Sequence, residues 1–215
     1  MCSRSDIIDQ LVNPGIIAVI RVHETSQVLP VCRALVEGGV VALEITLTVP
    51  GALEAIRVAH ETFGETALIG VGTVLNPGQC RDAMDAGAEF IVSPITRPDI
   101  VTEAHALDRP VMLGAYTPTE AQLAHEAGAD FVKLFPADQL GPAHVKSLLA
   151  PLPHLRIVPT GGVNLNTATD FLKAGCVALG VGSSLLTREI LQAANWPELT
   201  RLAAEYVQVA RKAIA

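Results

Sequence analysis

The segment Glu126-Ala127-Gly128-Ala129-Asp130-Phe131-Val132-Lys133-Leu134-Phe135-Pro136 carries the plan of the chain. It reads as the end of a helix, a glycine and a strand. The glycine suits the left-handed residue that closes a helix. In the run after it, Phe131, Lys133 and Phe135 alternate with Val132 and Leu134, which is the period of a strand. The same phrase occurs at Glu37-Gly38-Gly39-Val40-Val41-Ala42-Leu43, at Asp85-Ala86-Gly87-Ala88-Glu89-Phe90-Ile91 and at Lys173-Ala174-Gly175-Cys176-Val177-Ala178-Leu179. Gly39, Gly87, Gly128 and Gly175 lie 48, 41 and 47 residues apart. That spacing is too long for one strand and one helix, so a further strand belongs in each interval. Those strands are Ile16 to Ile20, Ala67 to Val71, Pro110 to Leu113 and Arg156 to Pro159. Eight strands, each followed by a helical stretch, predict an α/β fold of the (β/α)8 barrel type as one domain over residues 1–215.

The helices between the strands are marked by their starts. Asn76-Pro77-Gly78-Gln79 and Thr117-Pro118-Thr119-Glu120 each offer a cap, a proline at the first helical position and a Gln or Glu two residues on. Asn195-Trp196-Pro197-Glu198 opens the last helix in a related way, and Val28, Val31, Cys32, Leu35 and Val36 recur at helical spacing. A short leading helix around Asp6–Val12 is expected to cover the N-terminal end of the barrel. With helices flanking every strand, both faces of the sheet are expected to be covered. An open doubly wound sheet is the competing fold. It calls for a glycine-rich fingerprint after the first strand, where this chain has Val19-Ile20-Arg21-Val22-His23.

Composition narrows the function. Hydrophobic residues make up 50% and charged residues 17%, which suits a globular chain with much buried sheet. A net charge of −7 argues against nucleic acid as a partner, yet leaves room for a small anion held by a few cations or backbone amides. Cys2, Cys32, Cys80 and Cys176 form no C-x-x-C pair and read as reduced thiols of a cytoplasmic protein. No signal peptide and no run long enough to span a membrane is recognised. The six histidines form neither H-x-H nor H-E-x-x-H, so no metal site is expected. No dinucleotide fingerprint or Walker motif calls for a cofactor.

In a (β/α)8 barrel the active site is built from the C-terminal strand ends. Taken in order, those ends hold Arg21, Glu44 with Thr46, Gly72-Thr73, Ser93-Pro94, Gly114-Ala115-Tyr116, Lys133, Thr160-Gly161-Gly162 and Gly182-Ser183-Ser184. Lys133 and Glu44 are ionisable groups within buried strands. An ammonium there is costly to bury, and a lysine that sheds its proton is a nucleophilic amine, which is what Schiff-base chemistry on a carbonyl requires. The plainer readings of Lys133 are a snorkelling side chain or half of a structural ion pair. Glu44 on another strand could face it as the proton-transfer group. The glycine-rich ends of the seventh and eighth strands occupy the usual phosphate position of such barrels.

These motifs together resemble the bacterial 2-keto-3-deoxy-6-phosphogluconate (KDPG) aldolases, a family that includes 4-hydroxy-2-oxoglutarate aldolase activity. The resemblance runs from Ala18-Val19-Ile20-Arg21 onward. It is densest in Leu43-Glu44-Ile45-Thr46, Ile69-Gly70-Val71-Gly72-Thr73-Val74, Phe90-Ile91-Val92-Ser93-Pro94, Lys133-Leu134-Phe135-Pro136 and Pro159-Thr160-Gly161-Gly162-Val163. It implies a class I, metal-free retro-aldol cleavage giving pyruvate and glyceraldehyde 3-phosphate, with Lys133 forming the Schiff base and Glu44 moving protons. It implies that Arg21, Thr73, Pro94, Phe135 and Thr160 bind substrate and that Gly161, Gly162, Gly182 and Ser183 hold the phosphate. Homotrimeric assembly is implied as well. Some members carry an Arg two residues after the second-strand Thr; others have the Thr-Val-Pro form seen here in Thr46-Leu47-Thr48-Val49-Pro50, with an Arg at the end of strand one, so the resemblance implies that Arg21 takes a substrate anion, the carboxylate or else the phosphate. Gluconate-type members have Thr at the place of Thr160 and galactonate-type members an apolar residue, which implies the gluconate epimer. The alternatives are the phosphogalactonate epimer, a phosphate-binding isomerase or synthase on the same barrel, and a non-catalytic phosphosugar-binding protein.

Overall fold

The four repeated glycines adopt the backbone the repeat calls for. In the computed structural model, which describes residues 2–214, φ is 87° at Gly39, 105° at Gly87, 90° at Gly128 and 107° at Gly175. A Cβ is disfavoured in that region, so each helix stops there and the chain turns into the next strand.

The elements in chain order are α1 (Arg4–Val12), β1 (Ile16–Ile20), α2 (Val28–Glu37), β2 (Ala42–Thr46), α3 (Ala52–Phe63), β3 (Leu68–Gly72), α4 (Pro77–Asp85), β4 (Phe90–Val92) and α5 (Pro98–Ala106). They continue with β5 (Val111–Ala115), α6 (Pro118–Glu126), β6 (Phe131–Leu134), α7 (Gly141–Leu149), β7 (Ile157–Pro159), α8 (Leu165–Lys173), β8 (Leu179–Val181), α9 (Arg188–Ala193) and α10 (Trp196–Ile214). All eight strands run parallel in the order β7-β6-β5-β4-β3-β2-β1-β8, and a bridge between Thr160 and Gly180 brings the two ends together. The result is the expected (β/α)8 barrel. Strands β3 and β5 begin one residue later than their sequence assignments and run on to Gly72 and Ala115. The short α9 between β8 and α10 has no counterpart in the sequence reading.

Helix starts follow the side chains that cap them. Asn76 accepts from the Gln79 amide at 2.9 Å, and Thr117 and Glu120 form a reciprocal capping box ahead of α6. Such a cap contributes about 1 kcal/mol by satisfying amides that have no intrahelical acceptor.

Both faces of the sheet are covered, as expected, and every strand residue is buried. Helices cover the outer face alone. The inner face is covered by the facing strands, as closure demands. Val132 and Leu134 lie in the large cluster between barrel and helices, whereas Phe131 lies in a smaller cluster with Ile17, Ala42, Leu68, Phe90, Val92, Met112, Val158 and Ala178. That inner cluster fills the lower barrel. Ile7 and Leu11 of α1, both fully buried, belong to it and close its base. No helix among the described residues is long and apolar enough to cross a membrane.

Candidate active site

Strand alternation lifts two charged groups above the inner core. Two residues beyond Ala42 on β2 stands Glu44, and two residues beyond Phe131 on β6 stands Lys133. β2 and β6 are four strands apart in the eight-stranded barrel, so their side chains meet across its interior. Lys133 Nζ lies 3.5 Å from Glu44 Oε1, with the residues 5% and 2% exposed. Glu44 Oε1 is buried and accepts no aligned hydrogen bond. The ammonium also lies 5.4 Å from the centroid of the Phe135 ring. Amine and carboxylate are therefore close enough to exchange a proton through a small displacement, and neither is consumed by a tight bidentate pair.

Small residues on the inner face make the room. A Cβ at Gly72 would stand 2.0 Å from Glu44 Oε1, and one at Gly180 would stand 2.2 Å from Thr160 Oγ1. A Cβ at Gly114 would strike the Pro94 backbone at 2.1 Å, so this glycine lets Pro94 reach inward. Bare backbone at these three places gives the acid, the hydroxyl and the proline their positions.

Above the pair opens a cavity of about 450 Å³. Its lining includes Arg21, Thr73, Pro94, Lys133, Phe135 and Thr160, and on one side Gly161, Gly162, Gly182 and Ser183. Every site residue proposed from the sequence thus meets at one cavity, with Glu44 reaching it through Lys133. Thr46, noted at the same strand end, does not line the cavity: it is fully buried, and its hydroxyl bonds the Ile20 carbonyl at 3.2 Å and the Thr48 hydroxyl at 2.8 Å. Ser184, read from the sequence as part of the eighth strand end, lines the cavity too. Val19, Thr48, Val163 and Leu186 also line it and were not singled out as site residues; their positions beside strand-end residues are the sequence signal that could have found them.

Thr73 has φ of +64°, a left-handed conformation that is strained for a β-branched residue. The hydrogen bonds on either side hold it there: Leu47 N donates to the Gly72 carbonyl at 2.9 Å and Val74 N to the Val92 carbonyl at 3.2 Å. Gly161 and Gly162 have φ of 89° and 75°, and a Cβ at Gly162 would meet Asp138 Cβ at 2.4 Å. The Thr160–Gly180 bridge turns the Gly161 amide toward the Gly180 carbonyl. Among the described residues, the amides of Gly162, Ser183 and Ser184 donate no hydrogen bond. Three unused N–H donors on two adjacent loops form a cradle suited to an anion. Arg21 stands beside it, because β1 pairs with β8, and it carries no ion-pair partner among the described residues. No three His, Cys, Asp or Glu among the described residues are grouped to hold a metal ion.

Comparison with known proteins adds five findings. Residues 7–202 match the family described as "Aldolase: KDPG and KHG aldolase". The chain is 36% identical over 194 residues to the 2-dehydro-3-deoxy-phosphogluconate aldolase of Pseudomonas aeruginosa, covering 90% of this chain and 88% of that protein. It is 34% identical over 171 residues to the 2-dehydro-3-deoxy-6-phosphogalactonate aldolase of Escherichia coli, covering 79% and 83%. Among solved structures, a native KDPGal structure superposes with a TM-score of 0.86 at 32% identity, over 93% of this chain and 95% of that one. The KDPG aldolase of Legionella pneumophila, which holds pyruvate as a covalent carbinolamine, superposes at 0.84 with 30% identity, over 92% and 96%.

Proposed function

The chain belongs to the KDPG and KHG aldolase family and is a lyase of the aldolase type, and from that premise we propose that it is a Schiff-base aldolase that cleaves 2-dehydro-3-deoxy-6-phosphogluconate. The observation that carries this reading is the buried pair of Lys133 Nζ and Glu44 Oε1, 3.5 Å apart beneath the cavity.

In the proposed reaction the Lys133 amine attacks the C2 ketone to give a carbinolamine, and loss of water gives the iminium. Removal of the C4 hydroxyl proton lets the C3–C4 bond break, and its electrons pass into the iminium. Glyceraldehyde 3-phosphate leaves, and an enamine of pyruvate stays on Lys133. Protonation at C3 restores the iminium, and water then releases pyruvate and the free amine. Glu44 serves the proton transfers because it is the carboxylate within reach of the amine. Thr73 and Arg21 hold the carboxylate end, Pro94 and Phe135 wall the ketone, and Gly161, Gly162, Gly182 and Ser183 hold the phosphate. Sodium borohydride with pyruvate tests the assignment: a reduced adduct on Lys133, absent from Lys133→Arg, is expected by mass spectrometry. An unmodified Lys133 would refute it and leave a binding protein or an isomerase on the same barrel.

Thr160 supports the gluconate epimer. Its hydroxyl lies over Gly180 on the inner face and lines the cavity. A hydroxyl that bonds one C4 epimer is left unpaired with the other, at a cost of about 1–3 kcal/mol. Thr160→Val is expected to narrow the kcat/KM ratio of gluconate to galactonate epimers about tenfold. An unchanged ratio would move stereochemical control to another residue of the pocket, and a wild-type ratio in favour of the galactonate epimer would select the phosphogalactonate alternative.

The cytoplasm as location and a homotrimer as assembly complete the proposal. Leu75, Ile95 and Tyr116, exposed after three neighbouring strands, supply an apolar rim for subunit contact. Sedimentation at the mass of a monomer would remove the trimer.

A further inference from the structure

We infer that a second cavity beside the active site takes the phosphate of a longer aldehyde, so that the protein joins pyruvate to five-carbon aldose phosphates as well as to glyceraldehyde 3-phosphate. The inference rests on the Schiff-base aldolase reading and on the amides of Gly162, Ser183 and Ser184 as the place of the shorter aldehyde's phosphate.

The second cavity measures about 1000 Å³ and shares Arg21, Ser183 and Leu186 with the cavity above Lys133. The two spaces are therefore continuous past the eighth strand end. β1 pairs with β8, and the second cavity lies between the segments that follow these two strands. Gln27 Nε2 donates to the Leu191 carbonyl at 3.2 Å and ties one wall to the other. Thr187 Oγ1 accepts from the Ile190 amide at 3.3 Å and fixes the start of α9, where Arg188 stands.

The lining suits an anion. Arg21, His23 and Arg188 line the space and form no salt bridge among the described residues. Arg188 acts electrostatically on Glu189, the next residue in the chain, and Glu24 is the one carboxylate in the lining. Two guanidinium groups without a salt bridge on one cavity stand out in a chain of net charge −7. A guanidinium presents a planar fork of donors that matches a phosphate. Carbons inserted between aldehyde and phosphate move the phosphate outward from Lys133. Ser183 lies on that path, and beyond it the next cation that lines only the second cavity is Arg188.

The chemistry is the reverse of the proposed cleavage. C3 of the pyruvate enamine on Lys133 attacks the aldehyde carbon, a C–C bond forms, and the aldehyde oxygen takes a proton. Water then adds to the iminium, frees the Lys133 amine and returns a proton. The product has the summed mass of pyruvate and the aldose phosphate.

The experiment measures aldol addition of pyruvate to glyceraldehyde 3-phosphate and to ribose 5-phosphate, with wild type, Arg188→Gln and Arg188→Lys. Wild type is expected to give the summed-mass product from both. Arg188→Gln is expected to lower the kcat/KM ratio of ribose 5-phosphate to glyceraldehyde 3-phosphate about tenfold, through loss of a charged donor. Arg188→Lys keeps the charge and is expected to stay within about threefold of the wild-type ratio. A wild type that adds pyruvate to the three-carbon aldehyde alone overturns the inference and leaves the aldolase reading standing. An Arg188→Gln protein with the wild-type ratio, as expected of a merely solvated arginine, overturns it too, as does an Arg188→Lys protein that loses the ratio equally. A wild type that makes neither product overturns the aldolase reading and the inference with it.

Discussion

Thr73 concentrates the conflict between folding and function in one residue. A β-branched side chain at φ +64° costs about 1 kcal/mol or more relative to glycine. Thr73 lines the cavity that holds Lys133. Thr73→Gly is therefore expected to raise stability by about 1 kcal/mol while lowering kcat/KM at least about tenfold. Urea denaturation with steady-state kinetics checks both halves; a loss of stability would show that the threonine is not strained in the folded protein. Lys133 and Glu44 were legible in the sequence because charge inside an apolar strand is conspicuous. Leu186 was not, since an apolar residue beyond a strand reads as ordinary core and only the folded chain brings it to the cavity.

At the scale of elements, inner and outer faces of the barrel answer to different demands. Gly72 ends β3 on the inner face, where a methyl group would collide with Glu44. Thr117 caps α6 on the outside, next to Glu120. Gly72→Ala is expected to cost about 1–3 kcal/mol by overpacking. It should also slow exchange of the pyruvate C3 protons about 10²–10⁴-fold, as Glu44→Gln should. Thr117→Ala is expected to cost about 1 kcal/mol through the lost cap, with exchange at the wild-type rate. Exchange followed by NMR in deuterated water separates the two; equal rates in Gly72→Ala and wild type would show that Glu44 is not the proton carrier. The strands and helix starts were readable because glycine at helix ends and caps at helix starts act locally. The placement of Glu44 opposite Lys133 depends on closure, which no local pattern encodes. The covering of the inner face by opposing strands, rather than helices, follows from the same closure.

For the whole molecule, burial governs the thiols. It pushes Cys32, Cys80 and Cys176 up to about 12 from an ordinary value of 9.0, while Cys2 is exposed. With native protein at pH 8, a disulfide reagent is expected to modify Cys2 alone, and all four thiols after unfolding. Below pH 9 these thiols are protonated in both folded and unfolded chains and leave stability untouched. Above it the unfolded chain gives up protons that the folded one keeps, so each buried thiol lowers stability by about 1.4 kcal/mol per pH unit. A urea midpoint that stays level from pH 9 to pH 11 would contradict this. The base of the barrel, sealed by Ile7 and Leu11, also dictates traffic. Lys133 lies toward that sealed base, and the Gly161–Gly162 and Ser183–Ser184 loops line the same cavity. Under the proposed reaction the half held covalently at the blind end must leave after the half that is not, so the aldehyde would depart first and pyruvate last; pyruvate should then inhibit cleavage competitively and glyceraldehyde 3-phosphate noncompetitively.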